Sequence, residues 1–322
     1  MRFDSVTNLV EEALAEFANW SFSSYGVQKL NRTTPMVAFG VAPGSDANSF
    51  KLAVRSRTPF GLDLPPVQNI VSQVKSEADI LVTGNIRGPR RVVGLGTADK
   101  SEMKERMRPL RAGYSVGHHR ITAGTLGVFV KGKEGIMMLS NNHVLANSNT
   151  AKVGDAILQP GRYDGGADPK DIVGKLVAFK EMKENGNIMD AAIASIDKAY
   201  LPKDLSLPKI GKIGKKIISP SDILGKQVQK IGRTTDYTKG TVTAVNLRNV
   251  AVGYGEGKVF RFDQLIEVRI PGGSFSAGGD SGSFVVDMDR NPVGLLFAGS
   301  AQNTLLCAIE PILKEFKVEI CA

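Results

Sequence analysis

Short apolar segments separated by Gly and Asn fill the chain after about residue 111, and they limit its fold more than any other feature. TAGTLGVFV, GIMMLS and DAAIASI come before residue 200, and GTVTAVN, LIEVRI and VGLLFAG come after it. Regularly spaced short strands with turn signals predict β-barrels or β-sandwiches. The 35 glycines of the chain suit such tight turns. We therefore expect a mainly β fold with two sets of strands.

The first 96 residues have a different pattern, in which helix and strand signals alternate. The opening segment predicts an amphipathic helix capped by Asp4 or Ser5. The strand-like MVAFGV and KLAVR follow, then a second helix in PPVQNIVSQV and a strand in DILVTGNI. This order predicts a small α/β domain that regulates, assembles or recruits substrate. The residues on the apolar face of the first helix are Val6, Leu9, Val10, Ala13, Leu14 and Phe17.

Composition shifts divide the rest of the chain. Residues 97–113 are charged and nearly free of a core-forming pattern, which indicates a linker or extended arm. The predicted order is then a first β unit (114–200), a Lys-rich connector (201–222), a second β unit (223–310), and a C-terminal helix and tail (311–322) in which Pro311 begins the helix.

The net charge of +9 is partly concentrated in the connector. No aromatic platform or nucleic-acid motif accompanies its lysines, so we predict a solvated connector and no nucleic-acid partner. The composition does not decide whether these lysines attract acidic partners at low salt. The lysines are Lys203, Lys209, Lys212, Lys215 and Lys216.

The N-terminus has no apolar core followed by a small-residue cleavage site, and no apolar run is long enough to span a bilayer. We therefore expect a soluble, cytoplasmic protein that does not associate with membranes. Cys307 and Cys321 should be reduced in that compartment, although their spacing also permits a disulfide.

Metal sites are not expected. His118 and His119 are adjacent, so on an extended segment they point to opposite faces, and one ion would not bind both. The acidic run GRYDGGADPKD contains Asp164, Asp168 and Asp171, which suit either a solvated loop or Ca²⁺. The solvated loop is the simpler interpretation.

Three residues at the edges of apolar runs suggest nucleophilic catalysis. His143 directly follows GIMMLS, Asp190 begins an apolar strand, and Ser281 lies on a Gly-rich turn before another. A carboxylate that opens a core strand needs a partner. Asp197 is the alternative acid, but no apolar strand follows it.

Nucleophilic catalysis by a serine requires the histidine and the carboxylate as well. A serine hydroxyl needs an imidazole base, and the imidazole needs a carboxylate to fix its tautomer and stabilise its charged form. Gly279 lets the backbone direct its N–H, with that of Ser281, towards a developing oxyanion.

The motifs from about residue 111 to 322 resemble those of the trypsin/chymotrypsin-like serine peptidases, above all the bacterial streptogrisin and α-lytic type. GDSGS matches the nucleophile motif, SNNHVLA the histidine motif and DAAIA the aspartate strand. GRTTDYTKGTVTAVN is similar to a segment early in their second barrel. The whole chain, with RMRPLRAGYSVGHHRITAGTLG before the barrels, is also similar to uncharacterised bacterial trypsin-like proteins and plant narrow-leaf-type proteases.

The resemblance implies two antiparallel six-stranded β-barrels with the triad in the cleft between them and no cofactor. It assigns His143 as general base, Asp190 as its orienter and Ser281 as nucleophile, with an oxyanion hole at Gly279 and Ser281. Since Arg233 matches the arginine that pairs with the Asp before the nucleophile in the α-lytic type, we expect an Arg233–Asp280 pair.

The resemblance also locates the specificity pocket at Phe275, Ala298 and Gly299. Phe275 stands where trypsin-like enzymes carry an acid, so we expect an apolar or small P1 residue, or a restricted specificity if its ring fills the pocket.

These features predict a serine endopeptidase acting on peptides or proteins. The alternatives are a silent binding scaffold on the same fold and a narrow self-processing protease or esterase. The N-terminal domain caps the cleft, recruits substrate, or drives assembly into a homo-oligomer, and no residue selects among these.

Overall fold

A computed structural model of the chain describes residues 1–25, 36–46, 48–88 and 101–321. The fold is mainly β, with a nine-stranded sheet, an eight-stranded sheet and a two-stranded hairpin. This confirms the predicted fold class, with the corrections given below. None of the helices in the described ranges is long and apolar enough to cross a membrane.

The N-terminal unit packs two helices on a short sheet. Its long helix begins one residue before the predicted cap Asp4 and buries Val6, Val10 and Phe17. The second helix begins at a proline, which suits a first helical turn because it has no N–H to satisfy. The elements are α1 (Phe3–Tyr25), β1 (Val37–Pro43), β2 (Phe50–Ser56), α2 (Pro65–Val74) and β3 (Ala78–Val82), with 3₁₀ turns at Pro59–Asp63 and Lys75–Glu77.

A curled sheet follows the N-terminal unit. Residues 101–113 do not form a free linker, because Met103 and Leu110 are buried in the core beneath this sheet. The elements are β4 (Ser115–His118), β5 (Gly124–Thr125), β6 (Val128–Gly132), β7 (Gly135–Ser140), α3 (Asn142–Leu145), β8 (Ala156–Leu158), β9 (Ile172–Phe179) and β10 (Ala192–Ser195), with 3₁₀ turns at Glu102–Lys104, Arg162–Asp164 and Lys198–Tyr200.

The second set of strands forms a closed barrel. The predicted connector precedes it, and all five of its lysines are exposed. The predicted C-terminal helix begins at Ile309, two residues before Pro311. The elements are α4 (Pro220–Ile223), β11 (Gln227–Gly232), β12 (Asp236–Arg248), β13 (Val250–Gly253), β14 (Val259–Phe262), β15 (Leu265–Arg269), β16 (Phe284–Asp287), β17 (Pro292–Gly299), β18 (Thr304–Ala308), α5 (Ile309–Phe316) and β19 (Glu319–Ile320).

Strand β12 joins the barrel to the N-terminal unit. The order β11-β16-β17-β18-β15-β12 closes into six strands because β11 also pairs with β12. β12 has 13 residues and register shifts along its pairing with β15, and its last residues pair with β1. The order therefore continues as β12-β1-β2-β3. The N-terminal unit shares a sheet with the second barrel.

The first set of strands differs from the predicted closed six-stranded barrel. Its order is β19-β6-β7-β10-β9-β8-β4-β5, and within the described residues this curled sheet does not close. The chain after α5 returns to it, and Ile320 pairs with Val130 of β6. The C-terminal strand thus occupies an edge of the first sheet. Cys307 and Cys321 are buried, free thiols.

A buried ion pair holds the N-terminal unit against the barrel. Arg55 of β2 donates from Nε to both carboxylate oxygens of Glu267 at 3.0 Å and from Nη2 to Oε1 at 2.9 Å. Asn303 and Thr243 also donate to Glu267, at 2.9 and 2.8 Å. Burial by itself would raise the pKa of Glu267, but the charge of Arg55 and these hydrogen bonds outweigh it and lower the pKa below its ordinary value.

We predict that Arg55→Met lowers the free energy of unfolding by about 3–5 kcal/mol, since it leaves the Glu267 charge buried without its partner. Denaturant unfolding measures the change. The matched control is Lys314→Met, which breaks the exposed Lys314–Glu310 pair on α5 and should cost less than about 0.5 kcal/mol. Equal losses in the two variants would show that the buried pair does not hold the units together.

The same pair predicts a pH dependence. Because folding lowers the pKa of Glu267, its contribution is present above its unfolded value of about 4.3 and is lost as the pH falls through the folded-state value. The free energy of unfolding of the parent protein should therefore fall more steeply below about pH 4.3 than that of Glu267→Gln. Parallel pH profiles would contradict this assignment.

Candidate active site

Neighbouring strand ends bring His143 and Asp190 together. β7 and β10 are antiparallel neighbours, with Ser140 opposite Ala192, so the end of one strand lies beside the start of the other. His143 sits in α3, a single helical turn directly after β7. The alternative acid Asp197 is exposed.

Asp190 is fully buried and satisfied by three donors. Nδ1 of His143 lies 2.5 Å from Oδ2, and the backbone N–H of His143 donates to Oδ1 at 3.2 Å. The hydroxyl of Tyr254 donates to Oδ2 at 2.6 Å. These contacts compensate the desolvation that a buried carboxylate would otherwise suffer.

The Asp190 contact determines which ring nitrogen of His143 is available. An ionised carboxylate only accepts hydrogen bonds, so Nδ1 carries the proton and Nε2 keeps its lone pair. Nε2 is buried and has no hydrogen-bond partner among the described residues. This tautomer can accept a proton at Nε2, as a general base must.

Ser281 follows a turn that only glycine accommodates well. Gly279 has a φ of +100°. A Cβ built there would lie 2.4 Å from Nη1 of Arg233 and 2.5 Å from Oγ1 of Thr234. Oγ of Ser281 is 3.5 Å from the carbonyl oxygen of Phe297, which is longer than a normal hydroxyl hydrogen bond. The hydroxyl is thus only weakly held.

Ser281, His143 and Gly279 line one cleft of about 1370 Å³. The structure brings the three predicted triad residues together, and the Asp190–His143 contact is formed. The Ser281–His143 hydrogen bond is not formed, since Nε2 of His143 is unpartnered.

The predicted oxyanion donors are also available. Among the described residues, neither the N–H of Gly279 nor that of Ser281 donates a hydrogen bond. The carbonyl of Gly279 is held by Oγ1 of Thr125 at 2.9 Å, which fixes that peptide group. Free N–H groups on a fixed turn can stabilise negative charge that develops on a bound oxygen.

The predicted Arg233–Asp280 pair is wrong. Asp280 is buried and accepts the backbone N–H groups of Thr234, Thr235 and Ala277 at 2.8, 3.1 and 2.9 Å. Its nearest cation is the buried Lys230, with Nζ 3.6 Å from Oδ2. The turn satisfies this carboxylate without the arginine.

Arg233 instead joins the two sheets. Its Nε and Nη2 donate to Asp164 at 2.5 Å each, and Asp164 belongs to the turn that follows β8 of the first sheet. Both side chains are nearly fully buried. Because the guanidinium lies against Gly279, this pair supports the turn before Ser281 through a partner in the first sheet.

Two of the three residues predicted for the specificity pocket line one cavity. Ala298 and Gly299 line a small cavity of about 20 Å³ next to Ser281, together with Ser276, Ala277 and Leu296 among others. Phe275 does not line it. Its ring is buried in the core of the second barrel near Val268, so it does not form the pocket floor.

The prediction that His118 and His119 diverge is also wrong. β4 ends at His118, so strand alternation does not extend to His119, and the ring centroids are 4.5 Å apart. One ligand atom each of His118, His119 and Asp155 lie within 4.8 Å of one another. However, Nδ1 of His118 accepts the N–H of Arg120 at 3.2 Å, so its proton lies on Nε2, which faces Asp155. This tautomer has no lone pair on Nε2 for a metal.

The acidic run does not form a cation site among the described residues. Asp164 contacts Arg233, Asp168 lies 3.4 Å from Nδ1 of His119, and Asp171 lies 2.9 Å from Nε of Arg106. Each carboxylate thus has a different cationic or histidine partner.

Sequence reasoning missed Tyr254 and Lys230. Tyr254 follows β13, and its ring packs edge-on to that of His143 with centroids 5.8 Å apart. Burial and the charge of Asp190 raise the pKa of Tyr254 well above its ordinary value, so it stays a donor. Burial lowers the pKa of Lys230, opposed by Asp280. The one available sequence signal was a Tyr in a Gly-rich segment, since Lys230 lies in the mixed segment KQVQKIG.

Comparisons with known proteins agree with the motifs. A family model described as the Nal1 C-terminal domain matches residues 206–311. A curated relative, Glutamyl endopeptidase 2 of Streptomyces griseus, is 43% identical over 60 residues. That match spans 19% of this chain and only 27% of the relative.

The solved structures to which the chain is similar include two bacterial proteases. Thermobifida fusca Protease A is 16% identical with a TM-score of 0.45, and the match covers 66% of this chain and 97% of that chain. Nocardiopsis protease is 18% identical with a TM-score of 0.46, covering 66% and 98%. The predicted resemblance to bacterial trypsin/chymotrypsin-like serine proteases is confirmed as a resemblance.

We predict that Gly279→Ala destabilises the protein by about 1–3 kcal/mol more than Gly135→Ala. Both glycines have nearly the same φ, +100° and +97°, but a Cβ at Gly135 meets nothing within 4 Å. The difference between the two free energies of unfolding therefore isolates the clash with Arg233 and Thr234. Equal losses would mean that Arg233 does not pack on the nucleophile turn.

Proposed function

We propose that the protein is a serine endopeptidase that hydrolyses peptide bonds through an acyl-enzyme. Ser281 acts as nucleophile, His143 as general base and Asp190 as the residue that orients the imidazole. The observation that carries this proposal is the buried 2.5 Å contact between Nδ1 of His143 and Asp190, which leaves Nε2 free on a cleft that Ser281 also lines.

The reaction begins when the Ser281 hydroxyl leaves the Phe297 carbonyl and donates to Nε2 of His143. The hydroxyl oxygen then attacks the substrate carbonyl carbon while His143 takes the proton, and Asp190 stabilises the imidazolium. His143 returns the proton to the leaving amine. Water then attacks the acyl-enzyme carbonyl while His143 takes its proton. His143 returns that proton to the Ser281 oxygen as the acid product leaves.

The N–H groups of Gly279 and Ser281 are the proposed oxyanion donors. They have no competing acceptor among the described residues, and the turn that carries them is fixed by Thr125, Arg233 and Asp280. Such preorganised donors cost no reorganisation when negative charge forms, so one of them is typically worth about 10²–10³ in rate.

The main alternative is a binding scaffold without turnover, with a self-processing protease or esterase as a further one. The buried Asp190 favours turnover, because a scaffold has no need to place a charge in its core and then satisfy it with three donors. The curated relative is named an endopeptidase, which agrees with the leading proposal.

A fluorophosphonate probe tests the proposal. We expect covalent labelling of the parent protein at Ser281 and none in Ser281→Ala. Peptide hydrolysis should fall on the order of 10⁴-fold or more in that variant, since triad members act as a unit. Mass spectrometry of the labelled peptide identifies the site.

Ser274→Ala is the matched control, because Ser274 lies in the same glycine-rich segment but its hydroxyl bonds only to the Ser276 carbonyl among the described residues. The Ser274→Ala variant should react with the fluorophosphonate probe to the same extent as the parent protein. A folded parent protein that reacts with no probe and cleaves no peptide would contradict the enzyme proposal and favour the scaffold.

The P1 preference should be non-basic. The described lining of the cavity next to Ser281 contains no carboxylate, so a Lys or Arg side chain would be buried there without a partner. A peptide library should show cleavage mainly after apolar or small residues. Cleavage confined to Lys or Arg sites would refute this preference, and Glu sites would match the specificity named for the curated relative.

A further inference from the structure

Part of the N-terminal unit lies inside the cleft. Residues 86–88, which follow β3 and which we name the cleft arm, run between the ends of β13 and β17. Arg87 pairs with Gly299 in antiparallel fashion, donating and accepting at 3.0 Å. On the other side, Gly253 donates to the Ile86 carbonyl at 3.0 Å and accepts from Gly88 at 3.1 Å.

These four hydrogen bonds join the backbone of the cleft arm to Gly299 on one side and to Gly253 on the other. Two strand ends that present N–H and C=O groups across a gap form a slot for one extended chain. Gly299, which provides one side of the slot, lies next to Ala298 in the lining of the cavity beside Ser281. The cleft arm therefore occupies backbone sites directly next to the proposed nucleophile.

The cavity that Ala298 and Gly299 line beside Ser281 is small while the cleft arm is in place. Arg87 and Gly88 are themselves part of the cavity wall, and the cavity measures about 20 Å³. This is enough for roughly one water molecule and not for a substrate side chain. A peptide cannot place a side chain in this cavity until residues 86–88 move.

The fit of the cleft arm depends on a glycine. A Cβ at Gly88 would lie 3.1 Å from Cε1 and Cζ of Tyr254, closer than side chains normally approach. Tyr254 is also the residue that donates to Asp190. The cleft arm thus packs directly on the residue that helps to position the triad.

The buried ion pair keeps the cleft arm close to the slot. Arg55 lies in β2, which pairs with β3 just before the cleft arm. Its partner Glu267 accepts from Asn303, whose backbone carbonyl accepts from Ser300 directly after Gly299. One carboxylate therefore connects the strand beside β3 with the loop that extends the slot.

We propose that the cleft arm is an intramolecular pseudosubstrate, which an extended peptide must displace from the slot between Gly253 and Gly299. The inference rests on the proposed function, because it identifies the slot as the peptide-binding groove of that site. In the resting protein the cleft arm fills this slot. The substrates are extended chains that can form the same backbone hydrogen bonds to both Gly253 and Gly299.

The test uses binding and needs no catalysis. The full-length Ser281→Ala chain is compared with the same chain carrying Arg87→Pro, which removes the N–H that donates to Gly299. The probe is a fluorescent, end-blocked peptide of residues 82–88 (VTGNIRG), followed by fluorescence anisotropy. We expect the Arg87→Pro chain to bind it at least about 10-fold more tightly, because the tethered competitor is lost.

Gly84→Asn in the same Ser281→Ala background is the matched control. Gly84 precedes the cleft arm, has a φ of +69° that Asn tolerates, and has no atom within 4 Å of a Cβ. It should bind the peptide as weakly as the unmodified Ser281→Ala chain. The same peptide with proline at its Arg87 position should not bind the opened slot.

Gly88→Val provides a second way to displace the cleft arm if Arg87→Pro does not fold, since its side chain would crowd the Tyr254 ring. Equal affinity for the peptide with and without these changes would overturn the inference. With Ser281 restored, Arg87→Pro should raise kcat/KM about 10-fold. Tighter peptide binding without any hydrolysis would support the self-occupied groove and contradict the proposed function.

Discussion

The candidate site depends on one buried carboxylate. Asp190 is fully buried, so its charge is tolerated only because three donors satisfy it. Two of the donors come from His143 beside the first sheet, and one comes from Tyr254 of the hairpin in the second set of strands. The requirement to satisfy this charge therefore fixes the imidazole and also draws the two halves of the protein together at the cleft.

The turn that carries Gly279 and Ser281 is held by contacts from both halves. Asp280 is satisfied within the second barrel, by backbone N–H groups of residues 234–235 and 277 and by the nearby Lys230. Arg233 reaches across to Asp164 and packs on Gly279. The N-terminal unit extends the barrel sheet and delivers its cleft arm to the end of β17. The turn before Ser281, His143 and the slot between Gly253 and Gly299 are therefore connected by contacts that involve both halves of the chain.

The sequence predicted the parts of this assembly that have local patterns. His143, Asp190 and Ser281 each adjoin an apolar strand, and they converge because those strands belong to adjoining sheets. The Arg233 partner could not be predicted, because Asp164 and Asp280 are both acids in polar turns and only the folded chain decides which one Arg233 reaches. Phe275 was misassigned because its spacing from Ser281 does not determine which way its ring points. The pairing of Arg87 with Gly299 joins segments far apart in the chain and leaves no local signal.

Nitrogen-15 NMR of the three imidazoles tests the central claim, that Asp190 fixes the tautomer of His143. We predict that neutral His143 carries its proton on Nδ1 and has an unprotonated Nε2. His118 should show the opposite tautomer, because its Nδ1 accepts the Arg120 N–H, and it serves as an internal reference. In Asp190→Asn the Nδ1 preference of His143 should be lost while His118 is unchanged. A neutral His143 protonated on Nε2 in the parent protein would show that Asp190 does not set the tautomer.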